Sequence, residues 1–291
     1  MKIIVNFLCF CFLALQLNAQ IPEGKSVISS MYIYTLETGK AELVLKEKRH
    51  FEAPNWSHDG QFLLINASGI LEKVSTKGEK LGVLPTGDIK NANNDHGYSF
   101  DGKTLFISSS LPSIKGGSSF IFKVASEGGS PIRLTANTPS YWHGVSPDGK
   151  TIVYCAERGG NYDVYAMSSE GGAETRLTDA EGLDDGPEYS PDGKYIYMNS
   201  FRSVTFDNYS NWFAHISPNS KQAIIISYIE DQGQQHPFGK QVKLRLVNLE
   251  DKTIKDLTEP FFGGQGTINV PSWSPDGKKF AFVKYALEDK K

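Results

Sequence analysis

The sequence predicts an all-β fold: a six-bladed β-propeller closed by N- and C-terminal strands in one blade, with blade four truncated. Three observations predict it. One five-residue phrase recurs six times, each copy leads into a short alternating apolar run, and apolar strands without partners of their own stand at both ends of the array.

The copies of the phrase are Trp56-Ser57-His58-Asp59-Gly60, Tyr98-Ser99-Phe100-Asp101-Gly102, Val145-Ser146-Pro147-Asp148-Gly149, Tyr189-Ser190-Pro191-Asp192-Gly193, Ile216-Ser217-Pro218-Asn219-Ser220 and Trp273-Ser274-Pro275-Asp276-Gly277. Pro presets the first turn dihedral, Asp closes the turn with its side chain, and Gly takes the left-handed position that leads into the next strand. Each phrase therefore predicts a hairpin corner. Phe62-Leu63-Leu64-Ile65 after the first copy and Thr151-Ile152-Val153-Tyr154 after the third are typical of the strands that follow. The third unit continues with Asp163-Val164-Tyr165-Ala166-Met167, a turn at 168–172 and Glu174-Thr175-Arg176-Leu177-Thr178. Four short antiparallel strands in such a repeat are the pattern of a propeller blade.

Successive phrase serines are separated by 42, 47, 44, 27 and 57 residues. The 27-residue interval is too short for four strands, which predicts that blade four has lost its third strand. The 57-residue interval predicts an enlarged loop from Glu230 to Gln241. The last blade has only its two inner strands, and Tyr32–Thr35 and Glu42–Leu45 precede the first phrase, so joining the ends removes exposed sheet edges. The predicted organisation is a signal peptide at 1–19, an N-terminal linker at 20–30, the propeller at 31–287 and a charged tail at 288–291.

The first twenty residues carry one Lys, an apolar run and Ala19 at a suitable cleavage point, which predicts secretion or a periplasmic location without membrane insertion after cleavage. The chain has 30 Lys+Arg against 33 Asp+Glu, a net charge of -3. Removal of Lys2 with the leader makes this -4, and nothing in the balance suits nucleic acid. Cys155 is the only cysteine after position 11, so an internal disulfide is excluded from the mature chain. A monomer is expected.

With phrase corners on one face, the opposite face collects the links between blades, and its variable loops predict a binding surface around the channel mouth. The segments entering the inner strands include Asn94, Asp95 and His96, Trp142 and His143, Asp184 and Asp185, Asn211, Trp212 and His215, and Gln265, with His236 in the enlarged loop. His96, His143 and His215 are candidate ligands for a divalent ion such as manganese, zinc or calcium. Asn94, Asp95, Trp142, Asp184, Asp185, Asn211, Trp212, His236 and Gln265 are candidate ligand-binding residues, the indoles as flat platforms for a sugar ring. Arg158 and Arg202 are candidates to meet a carboxylate or phosphate. Trp56 and Trp273 are expected to pack between blades.

The repeated Ser-Pro-Asp-Gly-Lys phrase with its preceding aromatic, together with Glu-Gly-Gly and Arg-Leu-Thr in the outer strands, resembles the TolB-type propeller repeat over residues 31–287. The resemblance implies a propeller and, as one possible role, an envelope scaffold of the Tol-Pal type. The TolB resemblance covers only the propeller and not the N-terminal α/β domain of that family. A weaker resemblance, by ring position only, is to the oligogalacturonate lyase propellers. It implies a manganese ion held by His96, His143, His215 and Gln265, and lyase or hydrolase action on acidic oligosaccharides. Three functions are thus expected: binding of a carbohydrate or protein partner at the mouth, a metal-dependent enzyme on acidic saccharides, or an envelope scaffold.

Overall fold

A computed structural model describes residues 21–111, 119–200 and 207–290. The expected leader and Arg202 lie outside the described residues. The chain begins with a hairpin, β1 (Lys25–Thr35) and β2 (Lys40–Glu47). Three four-stranded antiparallel sheets follow: β3 (Glu52–Trp56), β4 (Phe62–Ala67), β5 (Ile70–Ser75) and β6 (Lys80–Val83); β7 (Ala92–Tyr98), β8 (Thr104–Ser109), β9 (Phe120–Ala125) and β10 (Ile132–Arg133); and β11 (Ser140–Val145), β12 (Thr151–Arg158), β13 (Asn161–Ser168) and β14 (Thr175–Arg176). Among the described residues the fourth repeat supplies the hairpin of β15 (Asp184–Tyr189) and β16 (Ile196–Ser200). A five-stranded sheet comes next, from β17 (Ser210–Ile216), β18 (Gln222–Tyr228), β19 (Phe238–Asn248), β20 (Ile254–Asp256) and β21 (Phe261–Gly264). The last strand, β22 (Lys279–Asp289), returns to pair with β1.

The fold is an all-β propeller, but the expected six blades become five sheets of three or more strands among the described residues. The repeat with the 27-residue spacing contributes a two-stranded hairpin in place of a blade. Asn199 ties this hairpin to the next sheet, donating to Asn211 O at 2.9 Å and accepting from Phe213 N at 2.7 Å. The enlarged loop leans over it as well, with Gln234 Oε1 accepting from Leu183 N at 3.1 Å. Part of that expected loop is strand, because β19 begins at Phe238 and its first half pairs with β21.

The six phrases share one hydrogen-bond circuit. In the third, Ser146 Oγ donates to Asp148 Oδ1 at 2.6 Å and accepts from Thr151 N at 3.0 Å, while Asp148 Oδ1 accepts from Lys150 N at 3.1 Å. The fifth keeps the circuit with Asn219 in place of Asp and Ser220 at φ 58° in place of Gly. Gly149 sits at φ 74°, in the left-handed region that Gly enters without steric cost.

Closure is as expected. β1 and β22 pair from Lys25↔Asp289 to Thr35↔Lys279, and an isolated bridge, Trp273↔Phe280, marks the inner edge. This pairing extends the sheet beyond the expected limits of 31 and 287. Residues 25–30 are strand where a linker was expected, and 288–289 are strand where a tail was expected, because each finds backbone partners across the seam. Alternate residues of β1, including Val27, Met31 and Ile33, point into a cluster with Phe51, Leu63, Ala281 and Val283. Further clusters fill the spaces between successive sheets, one around Trp212, Tyr228, Phe280 and Phe282 and another around Phe106, Trp142 and Tyr154.

Removing a corner hydroxyl deletes its bonds and leaves Thr151 N without its acceptor. Ser146→Ala is expected to destabilise the protein by about 1–2 kcal/mol, read from urea denaturation midpoints, while Lys150→Ala on the exposed rim of the same turn changes it by less than about 0.5 kcal/mol.

Candidate functional site

The inner strands share an irregularity that builds the site. Register shifts fall at Glu52/Asn55, Ala92/His96, Trp142/Gly144, Asp185/Glu188 and Trp212/His215. Each of these inner strands gains residues over its partner at that point, two in β7 and one in the other four, and such bulges are frequent next to functional sites. Ala53 and Phe213 hold positive φ at 54° and 51°, and Gly186 holds 61°, all four residues before a phrase serine.

Four of the predicted residues meet at the mouth. His143 Nε2 lies 3.1 Å from Asp185 Oδ1, and His236 Nε2 lies 3.5 Å from Asp185 Oδ2. Asp95 stands within electrostatic reach of all three. Phe213 packs between the imidazoles, 6.2 Å from His143 and 4.9 Å from His236 by ring centroid. The enlarged loop therefore delivers His236 over the truncated repeat and onto its carboxylate.

Burial opposes ionisation of Asp185, but His143 and His236 outweigh it and hold the carboxyl well below the ordinary range. Burial likewise opposes the charged form of His143, yet Asp185, with Asp95 and Glu188 behind it, raises its pKa. Asp95 has no such surplus of cations. Burial pushes it up to about 6, with Asp185 adding to the rise and the imidazoles opposing it.

Sequence reasoning missed Glu52. It sits five residues before Ser57, the offset that Asp185 has from Ser190 and Asn94 from Ser99, and that shared offset is the signal that could have found it. Its carboxylate accepts from Asn66 Nδ2 at 3.4 Å and lies 3.8 Å from His50 Nε2. Burial keeps His50 neutral, with a pKa near 3, so it offers no countercharge. Burial, with Asp95 adding, pushes Glu52 up to about 8. A Cβ on Gly266 would come within 2.5 Å of both Glu52 Oε2 and the hydroxyl of Tyr285, so Gly266 is what lets the two groups close on the backbone. The Tyr285 hydroxyl and Asn94 Nδ2 are buried without a hydrogen-bond partner among the described residues.

The other predicted residues serve the scaffold. His96 is sealed, with Nε2 3.5 Å from Leu64 O and a pKa lowered to about 4 by burial. His215 places Nδ1 2.8 Å from Glu188 Oε2 and Nε2 2.6 Å from Ile268 O, and two acceptors leave neither nitrogen free for a metal. Among the described residues no group of three or more His, Cys, Asp or Glu could hold a metal ion. The residues thus do not fit the expected divalent ion at His96, His143 and His215. Trp142 is buried against Phe106 and Trp212 against His236, so neither indole offers an open face to a sugar. Asp184 is buried, with its carbonyl accepting from Cys155 Sγ at 3.4 Å. Asn211 is bound to Asp207 and Ser227, and Gln265 sits half-buried beside Gly266. Arg158 is committed to Glu174, Pro139 O and Ser140.

Fold and site together define a propeller of Ser-Pro-Asp-Gly repeats with a buried polar axial mouth. No family model matches the chain. It is 41% identical over 280 residues to the uncharacterised protein Atu1656 of Agrobacterium fabrum, covering 90% of this chain and 94% of that one. A solved structure from Agrobacterium tumefaciens, described as a TolB candidate, superposes with a TM-score of 0.84 at 40% identity, covering 90% of this chain and 99% of the other. The chain belongs to this family of TolB-like β-propellers. TolB from Acinetobacter baumannii matches at 16% identity and a TM-score of 0.44, over 94% of this chain and 67% of that one. Oligogalacturonate lyase from Vibrio parahaemolyticus matches at 13% and 0.47, over 79% of this chain and 69% of the other.

An acid with a raised pKa binds more protons folded than unfolded, so its share of stability falls as pH rises from the ordinary value of 4.5 toward about 8. Glu52→Gln is therefore expected to flatten the loss of stability between pH 6 and 8, by up to roughly 1.4 kcal/mol per pH unit, in urea titrations. Asp95 contributes with the same sign mainly below its value of about 6 and is present in both proteins.

Proposed function

We propose that the chain is a secreted, periplasmic propeller that binds an envelope protein at its channel mouth, where a basic side chain of the partner meets Glu52, Asp95 and Asp185. The observation that carries this reading is the surplus of buried carboxylates at the axis. Among the described residues Glu52 and Asp95 have no lysine or arginine in ion-pair range, whereas buried Asp163 has Arg176 at 2.6 Å. Burial makes such acids costly to ionise, which raises the pKa of Glu52 and Asp95, and a cation arriving from outside favours their charged forms. A periplasmic location rests on the apolar leader with its Ala19. Among the described residues no helix is long and apolar enough to cross a membrane.

A carbohydrate at the same face is less well supported, because Trp142 and Trp212 present no open ring face. Acidic oligosaccharides fit least, since the mouth carboxylates would repel a uronate.

The reading is tested by photo-crosslinking in intact cells, with the reactive residue introduced at Gln265 beside the mouth or at Lys150 on the corner face. A discrete protein adduct is expected from position 265 alone, reduced at least fivefold by Asp95→Asn combined with Glu52→Gln. Equal adducts from both positions, or none from either, would count against a mouth-directed partner. Mass spectrometry of the mature protein is expected to place its first residue at Gln20.

A further inference from the structure

The axial channel also opens on the corner face, opposite the mouth, as a cavity of about 280 Å³. Trp56, Tyr98, Phe100, Trp142, Tyr189 and Trp273 line it. Four of these immediately precede a phrase serine, so the repeat that makes the corners also sets an aromatic residue beside the axis in four of its six copies. Trp56 and Trp273 therefore do more than the interblade packing expected of them. Among the described residues, Glu188 has the only carboxylate on the wall and no lysine or arginine lines it. The imidazoles on the wall are His58 near the opening and His143, which is turned to Asp185.

Aromatic faces carry negative potential and attract cations that have little hydration to lose, above all quaternary ammonium groups. The indoles of Trp56 and Trp273, two phenols and a phenyl ring, with no lysine or arginine among the described lining residues, suit such an ion better than an anion or a strongly hydrated cation; Glu188 is bonded to His215 Nδ1 and Ile216 N, so the ring faces carry the attraction. The size is adequate: an apolar cavity of about 150 Å³ holds benzene, and this one is larger. We infer that the corner-face cavity is a second binding site, sharing His143 with the mouth but opening on the opposite face, and that it takes a trimethylammonium group. The group can come from a small soluble compound or from a lipid headgroup.

Titration of the full mature chain with choline, followed by tryptophan fluorescence, tests the assignment, because three of the four tryptophans line the cavity. Saturable quenching is expected, with binding roughly five- to tenfold tighter than that of 3,3-dimethylbutan-1-ol, the uncharged isostere. Trp56→Leu and Tyr189→Leu, each verified to keep its thermal transition, are expected to weaken choline about fivefold and leave the alcohol unchanged. Co-sedimentation with phosphatidylcholine vesicles but not phosphatidylglycerol vesicles would identify a headgroup as the source; binding of free choline alone would identify a soluble compound. Equal affinity for choline and its isostere, or no saturable signal, would overturn the inference. So would loss of choline binding in Glu52→Gln with the two cage variants unaffected, since that places the cation at the mouth.

Discussion

The molecule depends on the pairing of β1 with β22. Eleven consecutive residue pairs join segments from opposite ends of the chain, and without them the inner strands would form an open arc with no shared axis. The charged ends add little, because the Lys25–Asp289 pair at 2.6 Å is exposed on its acidic side. The strength lies in the middle, where Met31, Ala281 and Val283 are fully buried, each apolar side chain of this kind contributing about 1–3 kcal/mol. The seam also shapes the site directly. Tyr285 on β22 stands beside Glu52 on β3, so the closing strand forms part of the mouth wall.

The corners were legible in the sequence because their chemistry is local. Ser, Asp and Gly within five residues complete a hydrogen-bond circuit that needs nothing from the rest of the chain, and all six copies form it. Blade number was not legible. Outer strands such as Ile132–Arg133 and Thr175–Arg176 are two residues long and exposed, so they carry almost no hydrophobic pattern, and the fourth repeat shows none among the described residues. That Asp95, His143 and Asp185 lie on the segments entering the inner strands was legible, because they stand three to five residues before a phrase serine; His236 was placed only by its enlarged loop, and its meeting with Asp185 was not foreseen. The roles of the histidines were not legible. Which imidazole faces the axis and which faces a neighbouring carbonyl follows from the bulges, and a bulge leaves no mark in the spacing of apolar residues. Glu52 was hidden for a related reason: it lies beside Phe51, Ala53 and Pro54, in a segment that reads as apolar.

Away from the axis, several partly buried arginines are matched. Arg158 meets Glu174, Arg49 meets Glu47 and Glu72, and Arg245 meets Asp207 and Asp256. At the axis the matching fails in a graded way. Asp185 has two imidazoles, Asp95 shares them at a distance, and Glu52 has only a histidine that burial keeps neutral. The same ring thus carries its most compensated and least compensated acids side by side.

Because Lys25 and Asp289 are neighbours, a ring of this design has no structurally privileged starting point. A short tether across the seam could replace the covalent continuity lost by cutting the chain at the exposed turn after Ser168, and the same barrel of sheets would be traced from a different origin. Segments appended to β1 and to β22 would leave the sheet side by side, at the end of the blade away from the phrase corner.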